Sequence, residues 1–167
     1  MKSLLFFLLL PFFGAAQTVH VEDNRIVYKG AVKLEGTSQA DVYARAKKAI
    51  ASHVNKNEIG ENHKKETIVS DGMIRLKSPY HLIKTLHYIF ELTAGDGEYR
   101  YRIDSVSLKQ KERGGSTEKI SSEELLKGME STGLVAATTE RQLDEIDMNF
   151  QKLISLIEAD IKRGLTK

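Results

Sequence analysis

The stretch LIKTLHYIFELTAGDGEYRYRIDSVSL, residues 82–108, decides the fold. Two segments rich in aromatic and β-branched residues flank Gly95-Asp96-Gly97, which predicts a β-hairpin with a tight turn. The apolar residues that alternate along the two segments are Leu86, Tyr88, Phe90 and Leu92, then Tyr99, Tyr101 and Ile103. A turn at Gly95-Asp96 or at Asp96-Gly97 brings both sets to one face, because the two registers differ by two residues.

The opposite face of this hairpin is polar. Its residues are Thr85, His87, Glu91, Arg100, Arg102 and Asp104. Opposite charges on neighbouring strands stabilise a pair of strands. All of these residues except Asp104 form the candidate binding surface, which is therefore Thr85, His87, Glu91, Arg100 and Arg102. Beyond Asp104 the apolar positions shift to Val106 and Leu108, which predicts a β-bulge.

A strand and a helix are predicted upstream of the hairpin. Apolar residues at every second position predict a strand over residues 25–34, with Gly30 marking a bulge or bend. Ser38 followed by Asp41 is a capping-box pattern, so a helix is expected to run to about Val54. The polar residues 55–65 are predicted to be a loop.

A second, shorter hairpin is predicted between that loop and the central hairpin. Asp71-Gly72 is a strong hairpin signal, so two short strands are expected at residues 67–69 and 73–76. Pro79 is expected to close this pair, since proline cannot continue a strand ladder.

Two helices are predicted downstream. The charged segment 109–115 is expected to be a loop, followed by a short helix from Ser121-Ser122 to about Met129. Residues 133–138 are expected to be a linker, and Thr138 or Thr139 to cap a long final helix. Six apolar residues follow at steps of three and four, Leu143, Ile146, Phe150, Leu153, Ile157 and Ile161. This stripe fits docking on the sheet better than a coiled coil.

These elements predict an α+β domain. The fold class is a five-stranded antiparallel sheet in the order β-α-β-β-β-β-α, with helices on one face. The expected organisation is a signal peptide at 1–16, a sheet domain at 17–130, and a linker with the C-terminal amphipathic helix at 131–167.

The N-terminal segment has the pattern of a secretory signal peptide. Lys2 precedes an apolar run from Leu4 to Phe13, and Gly14-Ala15-Ala16 supplies small residues for cleavage before Gln17. The chain contains no cysteine, so the residue needed for lipid attachment is absent. The expected location is the periplasm or the extracellular space, without a lipid anchor.

The chain resembles an uncharacterised family of secreted Bacteroidetes-type proteins, a domain of unknown function with a TATA-binding-protein-like fold. The residues that carry the resemblance are Leu34–Ala46, with the pattern Gly-Thr-Ser-x-x-x-Val-Tyr-x-Arg-Ala, then Gly72–Ile74 and Asp96–Tyr101. It covers about Ile26 to Met129. The resemblance implies the fold and lends no activity, substrate or catalytic residue.

Composition and spacing argue against several classes of function. The formal net charge of +2 provides little field for steering nucleic acids, so no nucleic-acid partner is expected. The five histidines, His20, His53, His63, His81 and His87, form no metal-binding spacing. No metal and no cofactor is therefore predicted. The aromatic cluster of the hairpin fits a core better than a carbohydrate platform.

Three hypotheses for function follow. The first is a non-enzymatic, exported module that binds an envelope protein or a small ligand through the candidate binding surface or the 109–115 segment. The second is an envelope hydrolase that uses His87 with Asp104 or Glu91, since His87 facing Asp104 or its neighbour is the only plausible oriented-histidine pair in the sequence. The third is a structural protein that oligomerises through the C-terminal helix. Whether the protein is an enzyme stays open, with the binding module favoured.

Overall fold

A computed structural model describes residues 21–54, 59–62, 66–78, 82–112 and 115–164. The elements, in chain order, are β1 Val21–Glu22, β2 Arg25–Ile26, β3 Tyr28–Lys33, α1 Gln39–His53, β4 Ile59–Asn62, β5 Thr67–Leu76, β6 Leu82–Gly95, β7 Glu98–Glu112, β8 Thr117–Ser121, α2 Ser122–Met129 and α3 Leu134–Arg163. The segment with the signal-peptide pattern, Pro79, His63 and His81 lie outside the described residues.

One antiparallel sheet organises the molecule. Five strands lie in the order β3-β7-β6-β5-β4, and β8 pairs with the far half of β7. The predicted α+β class and the five-stranded antiparallel sheet are confirmed. The small β1–β2 hairpin forms a separate two-stranded sheet.

The register of the central hairpin is as predicted. Gly95 pairs with Glu98, so Asp96-Gly97 forms the turn, and Gly97 has the positive φ of 67° that this turn requires. The predicted bulge is also present. On its two sides, His87 pairs with Ser107 and Ile89 pairs with Asp104. One residue of β6 between these pairs therefore faces two residues of β7.

The predicted hairpin at Asp71-Gly72 is wrong. These residues continue one unbroken strand, β5, in which Asp71 pairs with Ile89 and Gly72 with Tyr88. A Cβ atom on Gly72 would lie 2.0 Å from the Tyr88 ring. The glycine is therefore needed for a cross-strand ring, which local sequence does not reveal.

The bulge predicted at Gly30 is wrong for the same reason. Strand β3 pairs with β7 in unbroken register from Tyr28 to Lys33. A Cβ on Gly30 would lie 2.6 Å from the Tyr101 hydroxyl oxygen, so this glycine also makes room for a tyrosine on the neighbouring strand.

Two segments predicted as loops contain strands. Within the predicted loop 55–65, β4 pairs with Thr67–Ser70 of β5; residues 55–58 and 63–65 lie outside the described residues. The main order of the sheet keeps five strands because β4 replaces the one lost when two predicted strands merged into β5, and β8 adds a sixth strand beside β7. The 109–115 loop is likewise wrong, since β7 continues to Glu112 and pairs with β8.

The pairing of β7 with β8 was missed because, apart from the core pair Leu108 and Ile120, its residues are polar on both faces. Gln110 and Glu118 join β7 to β8 through a 2.6 Å hydrogen bond on one face, and Lys109 pairs with Lys119 on the other. Hydrophobic alternation is the main sequence signal of a strand, and it is absent where both faces meet water.

The helices begin at the caps that polar side chains provide, with one exception. Ser38 caps α1 by accepting from the Asp41 backbone N–H, and Ser121 forms a full capping box with Glu124 at α2. Helix α3 begins at Leu134, four residues before the predicted cap. The hydroxyls of Thr138 and Thr139 donate instead to carbonyls one turn back, at 2.8 and 3.0 Å.

The core lies between the helices and one face of the sheet. All six residues of the α3 stripe are buried. Phe150 contacts the rings of Tyr28 and Tyr88 at centroid distances of 4.9 and 5.1 Å. Tyr88, Phe90 and Tyr99 are buried and Tyr101 stacks on Phe90, so the aromatic cluster is part of this core. No helix among the described residues has the length and apolar character to cross a membrane.

Candidate binding face

The helices leave the opposite side of the sheet uncovered, and we call this side the free face. Its residues on the three central strands include Asp71, Met73, Thr85, His87, Ile89, Glu91, Arg100, Arg102 and Asp104. All five residues of the predicted binding surface lie on it, because the side chains of a strand alternate. Their role in binding stays a prediction.

Arg102 is already engaged within the protein. Its side chain donates to Asp104 at 2.9 Å and to Glu22 at 3.0 Å, and Glu22 also contacts Lys29 at 2.7 Å. The hydrogen bonds that Arg102 donates to Asp104 and then to Glu22 raise the pKa of Arg102. Hydrogen bonds from Lys29 and then Arg102 lower the pKa of Glu22. The β1–β2 hairpin therefore places the carboxylate of Glu22 beside Arg102 on the free face. Nothing in the sequence around Glu22 indicates this contact.

Arg100 and Glu91 are more accessible. Arg100 lies opposite Thr93 and forms an exposed ion pair with Glu98 at 3.0 Å. Glu91 lies opposite Arg102 and is exposed. An exposed ion pair of this kind contributes little to stability, so Arg100 can change partners readily.

His87 lies apart from the carboxylates suggested for it. It sits opposite Ser107 on one side and Met73 on the other, whereas Asp104 sits opposite Ile89. The Asp104 oxygens accept from Arg102 and Ser105. Within the described part of the chain, no hydrogen bond links His87 to a carboxylate, so the structure does not assemble the proposed His–Asp pair.

Two lysines surround His87 instead. Burial, then Lys109, then Lys119 lower the pKa of His87, so the imidazole is neutral at pH 7. The lysines reach this position because β8 returns along β7 and pairs Lys119 with Lys109. The adjacent glycines at 114 and 115 in the sequence are a turn signal from which a hairpin could have been predicted.

The β-bulge makes this part of the free face concave. Ser105, in the extra stretch of β7, has a φ of 53°, and bulges of this kind bend and twist the strand that carries them. A pocket of about 400 Å³ lies there. We call it the bulge pocket, and its polar lining residues are Asp71, His87, Ser105, Ser107, Lys109 and Lys119.

A second cavity of about 410 Å³ lies on the helix side, between α1 and α3. Some of its charged groups are paired, but one buried guanidinium nitrogen of Arg45 has no hydrogen-bond partner among the described residues. Asp160 contacts Arg163 of the same helix at 3.2 Å and His53 of α1 at 2.7 Å, and the contact with His53 ties the C-terminal ends of the two helices together. Among the described residues, no three metal-binding side chains gather at this or any other place. The bulge pocket lies on the free face and includes His87 of the predicted binding surface, so it is the better candidate for a binding site.

The sequence has no match among protein-family models or curated proteins. Solved structures do match. A TBP-like protein from Parabacteroides distasonis ATCC 8503 superposes with a TM-score of 0.60 at 12% identity, covering 84% of this chain and 97% of the other. A DUF4468 family protein from Bacteroides ovatus ATCC 8483 superposes with a TM-score of 0.59 at 20% identity, covering 83% and 90%. The protein thus has the TBP-like fold that the sequence resemblance implied.

Proposed function

We propose that the protein is an exported, non-enzymatic binding module that recognises an envelope protein or a small ligand through its free face. The observation that supports this most is the free face, which carries a pocket and exposed polar side chains, while the three helices of the described residues pack on the other side of the sheet. Function in this fold must be argued from such a site, because one fold serves many functions.

The other two hypotheses gain no support. A hydrolase would need a group that orients His87, and Asp104 is bonded to Arg102 and Ser105 instead. Oligomerisation through the apolar stripe of α3 would need that stripe to be accessible. Phe150, at its centre, has 0% of its surface exposed.

A matched pair of variants tests the role of the free face. Arg100→Glu with Met73→Glu reverses a charge and adds another on the free face, and neither residue lines the bulge pocket. Lys152→Glu with Met148→Glu makes the same chemical change on the exposed side of α3. Each tagged protein is recovered from its native cells, and its bound species are identified by native mass spectrometry and proteomics.

Wild type and the α3 control are expected to carry the same bound species, and the free-face variant is expected to lose it. Equal retention by both variants would refute binding through this part of the sheet. Circular dichroism and size-exclusion chromatography establish that all three proteins are folded, so a loss can be assigned to the surface.

Export belongs to the same proposal and has its own test. The signal-peptide pattern supports cleavage before Gln17. Fractionation of the native cells, followed by N-terminal sequencing, should place a chain that begins near Gln17 in the periplasm or the medium. Recovery of the uncleaved chain from the cytoplasm would contradict export.

A further inference from the structure

The bulge pocket holds two neighbouring positive charges that no ion pair within the described part of the protein neutralises. Lys109 and Lys119 are direct cross-strand partners on β7 and β8. Directly opposite residues have Cβ atoms about 4.5–5.5 Å apart, and like charges at that spacing destabilise the pair. Neither ammonium group forms an ion pair with any residue in the described part of the chain.

The other residues of the pocket lining neutralise only part of this positive charge. Asp71, across the pocket on β5, is the one acidic residue of the lining, against two lysines. The other carboxylate near the bulge, Asp104, is bound to Arg102. Burial and then the two lysines lower the pKa of His87, so the imidazole beside them adds no third positive charge at pH 7.

The pocket lining can also donate hydrogen bonds. A neutral imidazole has one N–H group, and a serine hydroxyl can donate while it accepts. His87 and Ser107 are cross-strand partners next to the lysine pair, and both line the pocket. Two ammonium groups with adjacent neutral donors match the needs of an oxyanion, which accepts several charge-assisted hydrogen bonds at once.

We propose that the bulge pocket binds the phosphate or carboxylate group of a small anionic ligand, held between Lys109 and Lys119 with His87 and Ser107 as hydrogen-bond donors. The anion offsets the repulsion within the lysine pair, so binding stabilises the β7–β8 hairpin. A volume of about 400 Å³ suits a small molecule. This inference rests on the proposed function and names its ligand class.

The test uses inorganic phosphate and succinate as separate probes for the two oxyanion types. Each is titrated into the folded protein at pH 7 and low ionic strength, and binding is followed by calorimetry and by the NMR signals of His87. Saturable binding of either probe is expected, with phosphate alone indicating a phosphorylated ligand and succinate alone a carboxylate. If neither probe binds saturably, the proposal is wrong.

Variants locate the site. Lys109→Gln with Lys119→Gln is expected to weaken binding about tenfold or more. The control, Lys33→Gln with Lys152→Gln, removes the same charge elsewhere and should leave binding unchanged. Binding that survives in the pocket variant, or is lost equally in the control, would show only general attraction of anions to a basic protein and would overturn the proposal.

Thermal unfolding adds a readout that does not depend on tight binding. Without anion, Lys119→Gln should be at least as stable as wild type, because the repulsion is gone. With phosphate or succinate, only the wild type and the control should gain thermal stability. Failure of these tests with a positive free-face experiment would reject the anion site and keep the binding module. Failure of both would reject the module.

Discussion

At the scale of single residues, two glycines determine how the sheet accepts its tyrosines. Gly72 and Gly30 lie directly opposite Tyr88 and Tyr101, and each ring occupies the space that a Cβ atom would need. A ring lying over a cross-strand glycine buries apolar surface that a larger neighbour would displace. The role of these glycines is thus packing within regular strands.

Gly72→Ala tests this packing role. The new Cβ would meet the Tyr88 ring at 2.0 Å. Overpacking of this kind costs about 1–3 kcal/mol. Gly95→Ala is the control, since its Cβ would have an ordinary contact of 3.5 Å with Glu98. Urea denaturation should show a loss of stability for the first variant and little change for the second, and equal stabilities would contradict the packing role.

At the scale of elements, α3 is the helix that closes the core. Its apolar stripe is buried from Leu143 to Ile161. The first turn behaves differently, because Leu134 is 83% exposed and its N-cap, Gly133, has no capping side chain. The helix is therefore held from Thr139 onward, where it packs on α2, on α1 and on the sheet.

Phe150→Asp is expected to unfold the protein. Removal of a buried phenyl ring costs about 3–5 kcal/mol, and an unpaired buried carboxylate adds to that loss. Domain stabilities are about 5–15 kcal/mol, so little or none would remain. Met148→Asp, at a position on the same helix that is 65% exposed, is the control and should stay folded.

Circular dichroism and size-exclusion chromatography measure both α3 variants. A folded Phe150→Asp protein with an altered oligomeric state would contradict this account. It would also revive the hypothesis of oligomerisation through the helix, which requires the stripe to face a partner.

At the scale of the whole molecule, buried tyrosines link stability to pH. Burial raises the pKa of Tyr88 to about 12 and also raises the pKa values of Tyr28 and Tyr99. An ordinary phenol in the unfolded chain has a pKa of about 10. The folded protein therefore binds more protons than the unfolded chain above pH 10, and stability falls as pH rises.

Tyrosine ionisation should leave the urea midpoint unchanged up to about pH 10. Between about pH 10 and 12 the midpoint should fall. Tyr88→Phe removes one of the ionising groups, so its midpoint should fall less steeply over this interval. An identical pH dependence for wild type and variant would show that Tyr88 does not contribute.

The sequence alone was sufficient to predict the features that depend on residues close together in the chain. Alternation and the Asp96-Gly97 turn predicted the central hairpin, its register and the two faces that it separates. Ser38 predicted the start of α1, and the shift to Val106 predicted the bulge. These signals are local, since a turn, a cap and a two-residue period each involve residues close in the chain.

Only the tertiary structure decided which local signals applied. Asp71-Gly72 is a strong turn signal, yet Tyr88 on the next strand makes Gly72 part of a continuous β5. The candidate site shows the same limit. His87 was predicted to lie on the polar face, but its lysine neighbours became visible only when β8 was placed beside β7.

The physical reason is that long-range contacts have no local signature. Glu22 reaches Arg102 across 80 residues of sequence, and nothing near either residue specifies the other. Strand segments that are polar on both faces, such as Lys109–Lys111 of β7 and Thr117–Lys119 of β8, also lack the alternation that burial imposes. Sequence therefore determined the central hairpin and the polarity of its faces, whereas the tertiary structure decided where the charges of the free face converge.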